Sequence, residues 1–391
     1  AKEEAIEEIM EAISRKNDGI NKKIIVTGCL AERYQKQMDE EFPEIDAVVG
    51  IAKNDDIVEI INSVMLDRRV ITFGDKLCHN MEGDKLQSTL PHYAYLRIAD
   101  GCSNKCSYCA IPLIRGKMRS RKMENIIEEA KKFAENGVKE LVIVAQDVTA
   151  YGIDLYKKYA LPDLLKQLCK IDGIKWIRLL YCYPERMTDE LIETIKTEDK
   201  VLNYIDIPIQ HCNKEILRNM YRGGDEQSLR ELFAKLRREI PGVVLRTTLI
   251  TGFPGETEEQ FSELAEFVND IKFERLGCFA YSAEEDTPAA EMPDQVDEGE
   301  RQRRADIITS EQEIRMGEYY AGMVGNTYEV VCEGFDRYSD MYFGRSMHFA
   351  PEIDGMIYFT SAKDKGSLTI GDFVNVKITD VLENNLLGER V

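Results

Sequence analysis

Residues Asp100–Gly116 read DGCSNKCSYCAIPLIRG, and Cys102, Cys106 and Cys109 fall within eight residues of it, separated by three residues and then two. A structural zinc site takes four protein ligands, and this loop offers three. Thiolates also hold iron–sulfur clusters. A four-iron cube has four corners, so three thiolates leave one iron open. An open iron is a poor staple and a useful reaction site.

The residues around the loop set the frame. Apolar, β-branched runs suit strands at Tyr93–Ile98, Glu140–Ala145, Trp176–Tyr181, Tyr204–Ile207, Val243–Ile250 and Leu276–Ala280. Helical periodicity fills the gaps at Met123–Asn136, Leu161–Ile171, Thr188–Thr197, Asn213–Met220, Glu226–Glu239 and Glu256–Asp270. Crossovers of that length join parallel strands. Six strand–helix units fall short of the eight of a closed barrel, so an α/β fold with an open, partial parallel barrel is expected. Chemistry gathers at the carboxyl ends of such strands, and Cys102 lies just past the first.

Outward from the barrel the text changes. Upstream, a helix over Lys2–Ser14, strands at Lys23–Thr27 and Ile45–Val49 and a helix over Asn54–Leu66 form a small parallel α/β unit. Periodicity fades from Asp67 to Pro91. Downstream, Asp294–Gly317 reads as one long helix, whose charge run Glu298–Arg304 fits a solvated face. TYEVVCEGF, MIYFTS and FVNVKI then mark a small all-β barrel.

Composition limits the function. The chain has 391 residues, and 51 Lys and Arg against 71 Asp and Glu leave a net charge of −20. That field repels a nucleic-acid backbone and draws basic partners. No apolar run approaches the eighteen or so residues that a membrane span needs. Of ten cysteines only three cluster; without a signal peptide, the pattern indicates reduced cytoplasmic thiols, with the cluster set aside for metal. Cys169, Cys182, Cys212, Cys278 and Cys332 are expected to be buried. Zinc remains the alternative for the loop; of the chain's four histidines, His79, His92, His211 and His348, only His79 lies near enough in sequence, with Cys78, to be a candidate fourth ligand. It would make the chain a non-catalytic interaction module.

An open cluster corner can be closed by the amino and carboxylate groups of S-adenosylmethionine. One electron from a low-potential cluster then splits the sulfonium and yields a 5′-deoxyadenosyl radical. The spacing, with Tyr108 before the third cysteine, resembles the radical S-adenosylmethionine superfamily. CSYCAIPLIRGKMRSR is similar to its methylthiotransferase branch. VAQDVTAYGID (Val144–Asp154), IPIQHCNKEILRNMYR (Ile207–Arg222), EEDTPAAEMPDQV (Glu284–Val296) and GRSMHFAPEIDGMIY (Gly344–Tyr358) resemble the ribosomal-protein aspartate methylthiotransferases. The tRNA adenosine methylthiotransferases are the competing branch, but typically carry Gln-Asn-Val where this chain has Gln146-Asp147-Val148.

The resemblance implies a truncated N-terminal methylthiotransferase domain over 1–75, a linker over 76–91, a radical domain over 92–295, a linker helix over 296–321 and a TRAM β-barrel over 322–391. It implies two [4Fe-4S] clusters and S-adenosylmethionine. Cys102, Cys106 and Cys109 hold the catalytic cluster, and Cys29, in TGCLAERY, matches the last ligand of an auxiliary one. The other two ligands would precede Ala1, so the chain as given is expected to be defective in sulfur insertion until they are restored. Tyr108, Gln146, Gln210, Arg246, Gly252 and Pro254 are the expected cofactor contacts; His211 and Asp147 stand close by. The activity implied is methylthiolation at the β-carbon of an aspartate in a small-subunit ribosomal protein at the decoding centre. An electron donor of flavodoxin or ferredoxin type, a monomeric cytoplasmic enzyme and no direct tRNA binding go with it. From Met323 to Val391 six Lys and Arg face eleven Asp and Glu. Glu329, Glu333, Asp336, Asp340, Glu352 and Asp354 are thus expected to attract a basic protein substrate.

Overall fold

The β-branched runs fold into parallel sheets in the computed structural model, which describes residues 2–78, 80–83 and 86–391. Two units arise: Ala1–Asp84 with Asp100–Lys105 and Cys109–Arg119, and Lys85–Ala99 with Cys106–Tyr108 and Ser120–Val391. A cut at residue 92 was expected. Instead, most of the cysteine loop belongs with the first unit, in which Arg119 Nη1 donates to the Leu77 carbonyl at 2.8 Å.

In the first unit β1 (Ile25–Thr27), β2 (Ala47–Val49) and β3 (Val70–Thr72) run parallel in that order, Val26 beside Val48 and Val48 beside Ile71. The helix Lys2–Asn17 buries Ile9 and Ile13 against Ile24, Ala31, Met38, Ile45 and Val48. It outruns the expected Ser14 because Arg15 and Lys16 favour the negative end of the helix dipole. β3 lies where periodicity fades. Three β-branched residues are too few to show an alternation, yet they pair along the whole of β2. The expected helix Asn54–Leu66 is instead a 3-10 segment, Ile51–Asp56, followed by an α-helix, Ile57–Met65.

The second unit carries β4 (Tyr93–Arg97), then the chain passes the two-residue β5 (Ala99–Asp100) and β6 (Arg119–Ser120). β7 (Glu140–Val144), β8 (Trp176–Leu179), β9 (Val201–Asp206), β10 (Val244–Thr251) and β11 (Arg275–Ala280) follow. Their order in space, β4-β7-β8-β9-β10-β11, is their order in sequence, and every neighbouring pair is parallel. This is the expected six-stranded open barrel.

The long helix runs Glu298–Met323 and not Asp294–Gly317. Asp297 caps it by accepting from Gly299 N and Glu300 N, and Tyr320 and Met323 carry it onward by packing into the last domain. Its charge run Glu298–Arg304 is largely exposed, as expected, with one exception. Arg304 is 5% exposed and bonds Glu256 at 2.8 Å and Glu300 at 2.7 Å.

The chain ends in a closed barrel of β12 (Thr327–Asp336), β13 (Met341–Ser346), β14 (Ile357–Thr360), β15 (Phe373–Leu382) and β16 (Asn385–Arg390). It packs on the amino ends of the parallel strands. Val331 and Ala350 join Tyr93, Trp176, Leu202 and Val244 in one apolar cluster, and the Trp176 and Phe373 rings meet edge to face at 4.8 Å. At its centre Glu140 accepts from Arg178 Nε at 2.7 Å and Arg345 Nη2 at 2.8 Å, Arg345 Nε reaches Glu333 at 2.7 Å, and Glu333 meets His92 Nε2 at 3.0 Å. All five residues are at most 5% exposed. Burial pushes the Glu140 carboxyl up, but Arg345 and Arg178 outweigh it and hold the group at about 2.

That docking changes the reading of the acidic count. Glu333 lies in the buried network, Glu352 accepts from the Tyr93 and Tyr95 hydroxyls at 2.8 and 3.0 Å, and Asp354 accepts from Tyr204 at 2.8 Å. Glu329 pairs with Lys175. Four of the six acids expected to face a substrate thus hold the barrel to its own chain. A net charge cannot show this, because it does not see which acids already have partners.

Candidate active site

The cysteine loop is built on close backbone approach. Gly101, at φ +75°, stands where a Cβ would come within 2.4 Å of the Lys117 carbonyl oxygen, so only glycine fits. Cys102 N donates to Gly116 O at 3.1 Å, and Met118 N to Ser103 Oγ at 3.2 Å, which draws the two ends of the loop together. Cys102, Cys106 and Cys109 form no disulfide and are partly exposed. Cys102 and Cys109 belong to the first unit and Cys106 to the second. Among the described residues no three His, Cys, Asp or Glu side chains close on a point that one metal ion would occupy. His79, a candidate fourth zinc ligand, lies outside the described residues; Cys78 is exposed, with Sγ 3.4 Å from Asp75.

Ser107 anchors the second cysteine. Fully buried, it donates through N to Met220 O at 3.0 Å and through Oγ to Asn219 O at 2.7 Å, and its carbonyl accepts from Ala289 N at 2.9 Å. Both acceptors end the helix Lys214–Asn219, which leaves its last carbonyls without helical donors. Tyr108 packs beside Ile216, Met220, Phe253, Tyr281 and Ala289. Beyond the helix, Tyr221 takes φ +58° and redirects the chain, and Arg222 brings Nη1 to 3.9 Å from Cys106 Sγ. Sequence reasoning assigned Arg222 no role, although it closes one of the quoted stretches. The signal available was an arginine before Gly223-Gly224 at the end of an amphipathic helix.

At the carboxyl edge of the sheet, Gln146 follows β7 with a buried Oε1 that has no hydrogen-bond partner. Gln210 has φ +73° and bridges to β10, its N donating to Thr248 O and its carbonyl accepting from Ile250 N, both at 2.9 Å. An orphaned buried amide oxygen asks for a donor, which suits a cofactor rich in N–H and O–H groups.

Other expected contacts already have partners. Arg246, an expected cofactor contact, is the third residue of β10, toward its amino end, and bonds Asp206 at 2.7 Å. Asp147 accepts from Ala150 N and Thr149 Oγ1 and pairs with Arg186, which makes it a turn-forming residue. His211 is fully buried: Nδ1 accepts from Asn213 N at 2.9 Å, while Nε2 lies 3.5 Å from Glu256 and makes no hydrogen bond. Gly252, at φ +68°, faces Arg301, whose Cβ would stand 2.7 Å from an added Cβ. Pro254 is buried beside it. Their conformations are explained by packing on the long helix. Cys182, Cys212 and Cys332 are buried as expected; Cys169 and Cys278 are partly exposed.

In the first unit Cys29 is exposed and opens the short helix Cys29–Arg33 behind Gly28 at φ +107°. Arg115, at the end of the helix Ile111–Arg115, lies 3.6 Å from its Sγ through Nη2 and bonds Asp100 at 2.8 Å through Nη1.

Comparison with known proteins places this arrangement. Residues 96–268 match the Radical SAM superfamily, 324–391 the TRAM domain, and 1–50 the Uncharacterized protein family UPF0004. In fold the chain is similar to a radical S-adenosylmethionine methyltransferase, TsrM, from Kitasatospora setae, with a TM-score of 0.56 at 14% identity over 72% of this chain and 59% of that one. Sheet, loop and family match together define a radical S-adenosylmethionine protein, a class that implies a [4Fe-4S] cluster and S-adenosylmethionine. Ribosomal protein uS12 methylthiotransferase RimO of Clostridium botulinum is 47% identical over 390 residues, 99% of this chain and 86% of that one. Its counterpart from Caldanaerobacter subterraneus is 48% identical over 362 residues, 92% of this chain and 82% of that one. The chain belongs to the RimO family of methylthiotransferases.

Proposed function

We propose that this protein methylthiolates the β-carbon of an aspartate in ribosomal protein uS12. The observation that carries this reading is the 47% identity to a uS12 methylthiotransferase across 99% of the chain. Cys102, Cys106 and Cys109 suit the cluster by donor chemistry, being three partly exposed thiols of one loop that form no disulfide. When bound, such a cluster supplies one-electron cleavage of S-adenosylmethionine.

The chain's own residues prepare for that chemistry. Ser107 fixes the backbone beside Cys106, and Arg222 sets a positive charge against its sulfur. Gln146 Oε1 accepts an N–H or O–H of the cofactor. Cys29 serves as one ligand of a second [4Fe-4S] cluster, with Arg115 compensating its thiolate. The uS12 protein is basic, the electron donor is a small flavodoxin- or ferredoxin-type protein, and the enzyme acts as a cytoplasmic monomer. Among the described residues no helix is long and apolar enough to cross a membrane.

The test is mass spectrometry of uS12 after anaerobic incubation with the full-length enzyme, reductant, S-adenosylmethionine and a sulfide source. A methylthio group on one aspartate supports the reading; modification of tRNA adenosine with uS12 untouched contradicts it.

A further inference from the structure

Arg222 is a buried cation that forms no ion pair with a carboxylate, Glu185 acting on it only from beyond bonding distance. It is 9% exposed, and no Asp or Glu among the described residues lies within ion-pair distance of it. Nη2 donates to the Pro208 carbonyl at 2.7 Å, and the guanidinium lies over the Tyr183 ring at 4.3 Å. A carbonyl and a ring face orient a guanidinium, but neither cancels its charge. Burying a cation with no directly bonded counter-charge is unfavourable. The group that meets Nη1 is Cys106 Sγ, at 3.9 Å.

Local structure holds this pair in register. Arg222 N donates to Leu217 O at 2.8 Å, closing the turn that Tyr221 opens, while Ser107, next to Cys106, is bonded to the carbonyls of Asn219 and Met220. Cation and sulfur are therefore mounted on the same helix end. Neither can drift without breaking backbone hydrogen bonds.

We infer that Arg222 is a positioning residue that tunes the reduction potential of the cluster held by Cys106, its fixed positive charge favouring the reduced, more negative state. This rests on the reading of the three-cysteine loop as a cluster site. A cation beside a cluster thiolate lowers the energy of the added electron, and burial keeps water from screening it. Arginine suits the task because it cannot lose its proton, so the bias is constant with pH.

The test is an anaerobic redox titration followed by electron paramagnetic resonance on the reconstituted wild-type chain, Arg222→Gln and Arg222→Lys, with iron and sulfide measured on each. The Gln variant is expected to keep its iron and show a more negative midpoint. A roughly tenfold lower ratio of reduced to oxidised cluster at the wild-type midpoint corresponds to about 59 mV for one electron. The Lys variant, which keeps the charge, is expected to titrate near wild type. An unchanged midpoint in the Gln variant overturns the inference, and so does a Lys variant shifted as far as Gln. Should the Gln variant fail to retain iron, the Lys midpoint decides alone: near wild type supports the inference, lowered overturns it. A wild-type chain that reconstitutes no iron–sulfur cluster instead removes the functional reading beneath it.

Discussion

Ser107 Oγ donates to the carbonyl oxygen of Asn219 at 2.7 Å, tying the residue between two signature positions, Cys106 and Tyr108, to the end of a helix more than a hundred positions further along the chain. With Ser107 N on Met220 O, this bond fixes where Cys106 stands. Ser107→Ala should lose about 1–3 kcal/mol, the usual result of leaving a buried acceptor unpaired. It should also lower the iron retained after desalting. Chemical denaturation of the apo-protein and iron analysis check the two effects separately.

The buried network beneath the β-barrel should behave as a unit. Removing Arg345 deprives both Glu140 and Glu333 of a partner, and breaking a buried pair on one side costs about 3–5 kcal/mol. Arg345→Met is therefore expected to destabilise strongly, and Glu140→Gln less, since Gln keeps an acceptor for Arg178. Urea unfolding curves of the two variants test the order.

The same network sets an acid limit. Glu140 is held at about 2 against an ordinary 4.5, and Glu333 is also held low: burial raises it, but His92 and Arg345 prevail. A depressed carboxyl contributes stability that is complete above its unfolded value and is lost as pH falls toward its folded one. Melting temperature should hold from neutral pH down to roughly 4.5 and fall steeply below it. In a Glu140→Gln variant the fall should be shallower.

Gly252→Ala tests packing against cofactor contact. The residue has φ +68°, and an added Cβ would meet Arg301 Cγ at 2.4 Å. The variant should melt lower even without any cofactor, by about 1–3 kcal/mol for backbone strain and overpacking together. Unchanged melting of the apo-protein would mean that the helix gives way there.

Much of this was legible in the sequence where a local rule governed. The six strands announced themselves as apolar runs between amphipathic helices, and the three-cysteine spacing pointed to the superfamily that residues 96–268 match. What escaped depended on partners distant in the chain. β3 takes its identity from β2 and not from its own three residues. Arg304 reads as a surface charge until Glu256 is seen beside it, and Arg246 as a ligand-facing cation until Asp206 is. Glu333, Glu352 and Asp354 entered a net charge as if they faced solvent, though each is bonded to the radical domain or to the buried network. Arg222 lies 116 positions from Cys106, a distance no motif spans.

The most direct measurement is anaerobic: reconstitute the chain with iron and sulfide, reduce it, add S-adenosylmethionine and quantify 5′-deoxyadenosine, for wild type and Cys106→Ala. The account predicts a cluster signal that changes on adding S-adenosylmethionine, steady formation of 5′-deoxyadenosine by the wild type, and none by the variant. Equal formation by both proteins, or a wild-type chain that takes up zinc and no iron, would contradict it.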